Sequence, residues 1–187
     1  MIEQNIRVID GFYDNPEAIR KFALLQNFNI EGNYPGKRTV PFTEGGLREH
    51  LEKLMNIKIN EEKWNKGNYT GTYQYVPKDV PTWVHSDRHN DWSCIVYLHP
   101  DPAPNSGTSF YKHKSTGSTK YSDGTWGNAL ESDGDKWDKW EKTDTVGNVF
   151  NRAIIFKGEL WHAADEYFGS NKHDACLFQT FFFDEVR

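Results

Sequence analysis

The run Ala175-Cys176-Leu177-Phe178-Gln179-Thr180-Phe181-Phe182-Phe183 is too apolar to lie on a surface. Its length and its aromatic content suit an extended strand, and such a strand has to be covered by other layers. It is therefore expected at the centre of a sheet. From residue 57 onward the chain supplies that sheet, as short runs of β-branched and aromatic residues separated by Pro, Gly, Asn and Asp. Residues 69–76 alternate, with Tyr69, Gly71, Tyr73 and Tyr75 on one face and Thr70, Thr72, Gln74 and Val76 on the other. Further strands are expected at 92–98, 107–111 and 148–156, with Lys157-Gly158 as a turn before Trp161-His162.

The part before residue 57 reads as helical apart from a short strand at 6–12. Asn15 as cap and Pro16 at the first helical position predict a helix over 16–28, with Ile19, Phe22, Ala23 and Leu25 on its apolar stripe. A second helix is expected over 44–56, capped by Thr43 and buried through Leu47, Leu51, Leu54 and Met55. Between them, Tyr34-Pro35-Gly36-Lys37-Arg38 is a turn leading to a basic contact point. Helices followed by many short strands give an α+β fold, a double-stranded β-helix (jelly roll) with the N-terminal helices packed on the outside. At 187 residues the whole chain, 1–187, fits one domain. Residues 112–147 are rich in Lys, Ser, Thr, Gly and Asp but carry Trp126, Trp137 and Trp140. They are expected to form an inserted flap, with a short helix over 135–142 presenting the last two indoles on one side.

Within this frame, Pro81-Thr82-Trp83-Val84-His85-Ser86-Asp87 is an apolar approach ending in a histidine and a carboxylate two positions apart. On an extended backbone both point the same way and can offer a nitrogen and an oxygen to one metal ion. His162 follows 75 residues after Asp87 in the apolar passage 153–162. Two imidazoles and one carboxylate on one face of an octahedron are the ligand set of non-haem Fe(II) oxygenases. His89-Asn90-Asp91 and His99-Pro100-Asp101 have the same spacing, so spacing alone does not choose among the three.

Other classes are disfavoured. A net charge of −5, from 22 basic and 27 acidic side chains, gives no footprint for a nucleic-acid backbone and suits a small-molecule or peptide substrate. No apolar run approaches the length of a membrane span, and Met1-Ile2-Glu3-Gln4-Asn5 is unlike a secretory signal, so a cytoplasmic protein is expected. Cys94 and Cys176 lack zinc-site pairing and read as small buried hydrophobes. Oligomeric state is left open.

The ordered set His85-Ser86-Asp87, a strand ending in Tyr97-Leu98, Gly107-Thr108-Ser109-Phe110, Asn151 to Phe156, and Trp161-His162-Ala163-Ala164 resembles the Fe(II)/2-oxoglutarate-dependent dioxygenases, in particular their small prolyl-4-hydroxylase-like branch. The likeness covers roughly residues 69–183. It selects His85/Asp87, because in that family the His-x-Asp precedes the Tyr-Leu strand and the Gly-Thr-x-Phe segment follows it. It implies His85, Asp87 and His162 as metal ligands and catalytic centre, Fe(II), 2-oxoglutarate and O₂ as cofactor and co-substrates, and hydroxylation of an unactivated C–H on a peptidyl residue or small molecule. It also implies a basic residue for the distal carboxylate of 2-oxoglutarate, but Cys176 stands at the usual arginine position. Lys172, ten residues after His162, replaces it by spacing, with Tyr75 as a hydrogen-bonding partner and Arg152 as a further source of charge. The missing arginine keeps two alternatives open, a cupin-like metal-binding non-oxygenase and a degenerate jelly-roll binding module.

Overall fold

A computed structural model describes residues 5–66, 69–121 and 125–187; the side chains of residues 65, 125 and 126, and so the indole of Trp126, lie outside the described residues. The chain is a mixed α/β protein with two antiparallel sheets and few helices. Its elements run β1 (Ile6–Asp10), α1 (Pro16–Leu24), β2 (Lys37–Arg38), α2 (Leu47–Met55), α3 (Glu61–Lys66), β3 (Thr72–Val76), β4 (Trp92–Tyr97), β5 (Gly107–His113), α4 (Thr125–Glu131), a 3-10 turn (Trp137–Lys139), β6 (Trp140–Gly147), β7 (Arg152–Lys157), β8 (His162–Ala164) and β9 (Cys176–Phe183). The larger sheet has the order β1-β7-β4-β9-β3-β2 and the smaller the order β6-β5-β8. Strand β9 lies inside the larger sheet, paired on both sides, Ile95 to Thr180 and Gln74 to Phe178.

Alternation along these strands sorts the side chains into layers. Leu177, Phe181 and Phe183 face outward with Cys94, Val96 and Ile155, and there meet Ala23 of α1, Leu51 and Met55 of α2, and Trp64 of α3. Trp64 stacks on Phe181 with ring centroids 5.8 Å apart and planes 4° from parallel. The opposite face of the larger sheet sends Val76, Tyr97, Cys176 and Phe178 toward Phe110 of the smaller one. Beyond the smaller sheet a third cluster joins Val84, Tyr111, Leu130, Trp140 and Trp161.

The helices depart from expectation at their ends. Asn15 does cap α1, its Oδ1 accepting from the Ala18 N–H at 3.1 Å. The helix stops at Leu24, however, and Leu25 is 74% exposed. Thr43 does not cap α2. Gly45 and Gly46 are both left-handed (φ 78° and 77°), which delays the start to Leu47. Helix α3 was not expected at all, although Asn60 caps it through the Lys63 N–H at 3.1 Å.

The described part of segment 112–147 carries the end of β5, α4, the 3-10 turn and β6. Strand β6 pairs along β5 from Gly107↔Gly147 to His113↔Trp140. The helix expected over 135–142 is replaced by the 3-10 turn and the start of β6, so the two indoles separate. Trp137 is 43% exposed, and Trp140 is buried against Trp161 at 5.4 Å. Among the described residues no helix is long and apolar enough to cross a membrane.

Candidate metal centre

His85 and His162 are directly opposed on antiparallel backbone, each N–H donating to the other's carbonyl at 2.9 Å. That register sets the two imidazoles 4.3 Å apart, centroid to centroid. His85 Nδ1 bonds the Trp83 carbonyl at 3.0 Å and His162 Nδ1 the Leu160 carbonyl at 2.9 Å. A carbonyl can only accept, so both Nδ1 atoms carry the proton and both Nε2 lone pairs are left for a ligand. Phe156 meets the His162 ring edge-on at 4.6 Å and limits its rotation.

Asp87 completes the group because the chain beyond His85 is tied to the β7–β8 turn. Its N–H donates to the Gly158 carbonyl at 2.7 Å, while the Gly158 N–H donates to Asp91 O at 3.0 Å. A Cβ at residue 158 would come within 2.3 Å of Asn90 O and 2.7 Å of Asp87 O, so only glycine permits this approach. Asp87 Oδ2 accepts from Ser93 Oγ at 2.7 Å and lies 3.4 Å from His162 Nε2. One donor atom from each of His85, Asp87 and His162 lies within 4.8 Å of the others.

The electrostatics suit a divalent cation. Burial, reinforced by the neighbouring His162, pushes the His85 imidazole down to about 4, leaving it a neutral donor at neutral pH. Burial opposes ionisation of Asp87, but the facing imidazole of His162 and the Ser93 hydroxyl outweigh it and hold the carboxyl well below its usual range. Two imidazoles and one carboxylate, each oriented by a further hydrogen bond, fit a metal of the Fe(II) type. Bound there, such a metal would be held by His85 Nε2, His162 Nε2 and the Asp87 carboxylate. The other two triplets serve differently. Asp91 accepts from the Glu185 N–H and Arg187, and His99 Nδ1 accepts from the Asp101 N–H at 3.2 Å.

The group opens into a cavity of about 990 Å³ between the two sheets, lined among others by Arg38, Gln74, Ile95, Tyr97, Thr108, Cys176 and Phe178. Cys176 is 5% exposed, its thiol pushed up to about 12 by burial, and it accepts weakly from Asn148 Nδ2 at 3.7 Å.

None of the three residues expected to meet the keto acid lines this cavity. Tyr75 takes the outward alternation of β3, packing edge-on against Phe28 at 5.1 Å. Lys172 reaches the same outer patch, with Nζ 3.4 Å from the Gln26 carbonyl and 5.7 Å from the Phe28 ring centre. Arg152 faces Asp10 across the β1–β7 ladder, at 2.6 Å through Nε and 3.0 Å through Nη2.

Arg38, Lys63 and Arg88 line the cavity; Lys63 pairs with Asp184 and Arg88 with Glu131, whereas Arg38, at the sheet edge, has no such ion pair among the described residues. Gly36 makes that edge position possible: its φ is 73° and a Cβ would meet Tyr75 O at 2.2 Å. The β2–β3 register then pairs Arg38 with Gln74, on the inward alternation of β3. Arg38 Nε donates to Gln74 Oε1 at 2.6 Å, Gln74 Nε2 donates to the Pro35 carbonyl at 2.5 Å, and the guanidinium lies 3.8 Å from the Tyr34 ring centre. Only the sequence reading of a basic contact point after the 34–36 turn pointed to it, since a two-residue strand shows no periodicity.

Three comparisons bear on this architecture. A search of curated proteins finds no match to the sequence. The structure resembles HygX from Streptomyces hygroscopicus with nickel and 2-oxoglutarate bound, at 14% identity and a TM-score of 0.54, over 98% of this chain and 85% of that one. A Pseudomonas putida prolyl-4-hydroxylase matches at 14% identity and a TM-score of 0.45, over 97% and 94%. The fold is thus like that of the 2-oxoglutarate oxygenases, as the sequence motifs implied. In sequence, residues 2–167 match the model of DUF6445, described as a family of unknown function, and the chain belongs to that family.

Proposed function

We propose that this protein is an Fe(II)- and 2-oxoglutarate-dependent dioxygenase that hydroxylates an unactivated C–H of a small molecule or peptidyl residue. In this reading the two sheets form a double-stranded β-helix with the metal at its mouth. The observation that carries it is the group His85, Asp87 and His162, one donor atom of each within 4.8 Å of the others, lining a cavity of about 990 Å³. Iron held there supplies what no side chain can, activation of O₂ coupled to oxidative decarboxylation of the keto acid.

The chain's own residues do the remaining work. Trp83 O and Leu160 O fix the tautomers, Ser93 holds one lobe of the Asp87 carboxylate, and Phe156 steadies His162. The apolar walls of Ile95, Tyr97 and Phe178 exclude water from the keto acid. A cavity of about 990 Å³ leaves room beyond a small keto acid for the group to be oxidised.

The test is release of succinate from 2-oxoglutarate, dependent on both Fe(II) and O₂ and lost in His85→Ala, Asp87→Ala and His162→Ala but not in His89→Ala. Metal uptake without succinate under any substrate mixture would instead favour a metal-binding non-oxygenase.

A further inference from the structure

Arg38 is 7% exposed, yet among the described residues no carboxylate forms an ion pair with it. One of its donors, Nε, is used on a neutral amide. Its surroundings are the faces of Tyr34 at 3.8 Å, Tyr69 at 5.1 Å and Phe182 at 6.0 Å. The other lysine and arginine side chains lining the cavity are engaged, Arg88 by Glu131 and Lys63 by Asp184, and Arg152, outside it, is engaged by Asp10.

Burial pulls the guanidinium down to about 10, partly offset by Tyr34 and by Asp87 across the cavity, so it stays cationic at neutral pH. A desolvated cation without an anion is unfavourable unless a ligand supplies one. The scaffold around it is rigid, because Gln74 is itself anchored to Pro35 and Gly36 admits no side chain. Two further polar atoms that line the same cavity, Tyr34 Oη and Ser86 Oγ, are buried without a partner among the described residues.

We propose that Arg38, delivered from the β2 edge, is the carboxylate receptor of the cavity. It takes the role for which β9 offers Cys176, and binds a carboxylate of the occupant in a charge-assisted, two-pronged contact through the guanidinium. The carboxylate comes from the keto acid or from the substrate. This inference rests on the metal-centre reading above, and the experiment separates the two.

The experiment is calorimetry on Ni(II)-loaded wild type, Arg38→Met and Arg38→Lys, titrated with 2-oxoglutarate, with oxalate, which can chelate the metal but has no distal carboxylate, and with glutarate added to the 2-oxoglutarate complex. The expected result is a 10- to 100-fold loss of 2-oxoglutarate affinity in Arg38→Met, partly restored in Arg38→Lys, with oxalate and Ni(II) affinities unchanged. That pattern assigns the keto acid as the source. Weakened glutarate binding with unaltered 2-oxoglutarate affinity also supports the receptor and assigns the carboxylate to the substrate. Unaltered affinity for all three probes in a folded Arg38→Met overturns the inference while leaving the metal centre standing. Wild type that takes up no Ni(II) overturns the metal-centre reading instead, and 2-oxoglutarate binding to that metal-free protein still tests Arg38. Melting curves establish that each variant is folded.

Discussion

The two faces of the larger sheet differ in what their polar groups do. On the outward face the one glutamine of β9, Gln179, has its amide engaged at both ends, accepting from Tyr13 Oη at 2.5 Å and donating to Gly71 O at 3.0 Å, amid Leu177, Phe181 and Phe183. On the inward face Gln74 and Ser93 are equally buried, but each orients a charged group, Arg38 in one case and Asp87 in the other. The outward polar group closes the structure on itself. The inward ones aim charge at a cavity. The same strands thus carry the helix-covered core on one alternation and the lining of the candidate site on the other.

That division can be broken one face at a time. The largest effect is expected from His162→Ala or Asp87→Ala, either of which removes a donor from the group and should abolish metal uptake, measured by metal analysis of dialysed protein, while the melting curve stays cooperative. On the opposite face Phe181→Ala should cost about 3–5 kcal/mol in denaturant unfolding, since it empties a fully buried aromatic site. Metal stoichiometry per folded molecule should stay the same. If Phe181→Ala impaired metal affinity as much as stability, the faces would not be separable. Ser93→Ala sharpens the comparison, because it frees one oxygen of Asp87 without removing a ligand. Metal affinity should fall about 10- to 100-fold, read by competition with a chelator. Smallest of all, Arg152→Gln and Lys172→Ala should leave 2-oxoglutarate affinity unchanged, since both side chains lie outside the cavity.

How much of this was legible in the sequence follows from the length of the signals. The apolar run ending at Phe183 and the alternation through Gln74 and Tyr75 are long enough to show a period, and both fall as strands with those faces. The convergence of His85, Asp87 and His162 was legible too, because the resemblance to the dioxygenase motif order separated three identical His-x-Asp spacings. Strand β6 was hidden, since its Glu141, Lys142, Asp144 and neighbours are exposed charges on an edge strand, which mimic a loop. Helix α3 is six residues, less than two turns, and Arg38 sits in a two-residue strand. The resemblance implied an inward Tyr75, but the alternation of β3 sets it opposite Gln74 and so on the outer face.

The most direct test is visible absorbance on adding 2-oxoglutarate to the Fe(II)-loaded protein without oxygen. A keto acid chelated to Fe(II) in a site with open positions gives a metal-to-ligand charge-transfer band, and the account predicts that band at one equivalent of each component, absent in Asp87→Ala. Iron that binds the wild type at the same stoichiometry but gives no band with 2-oxoglutarate would contradict it.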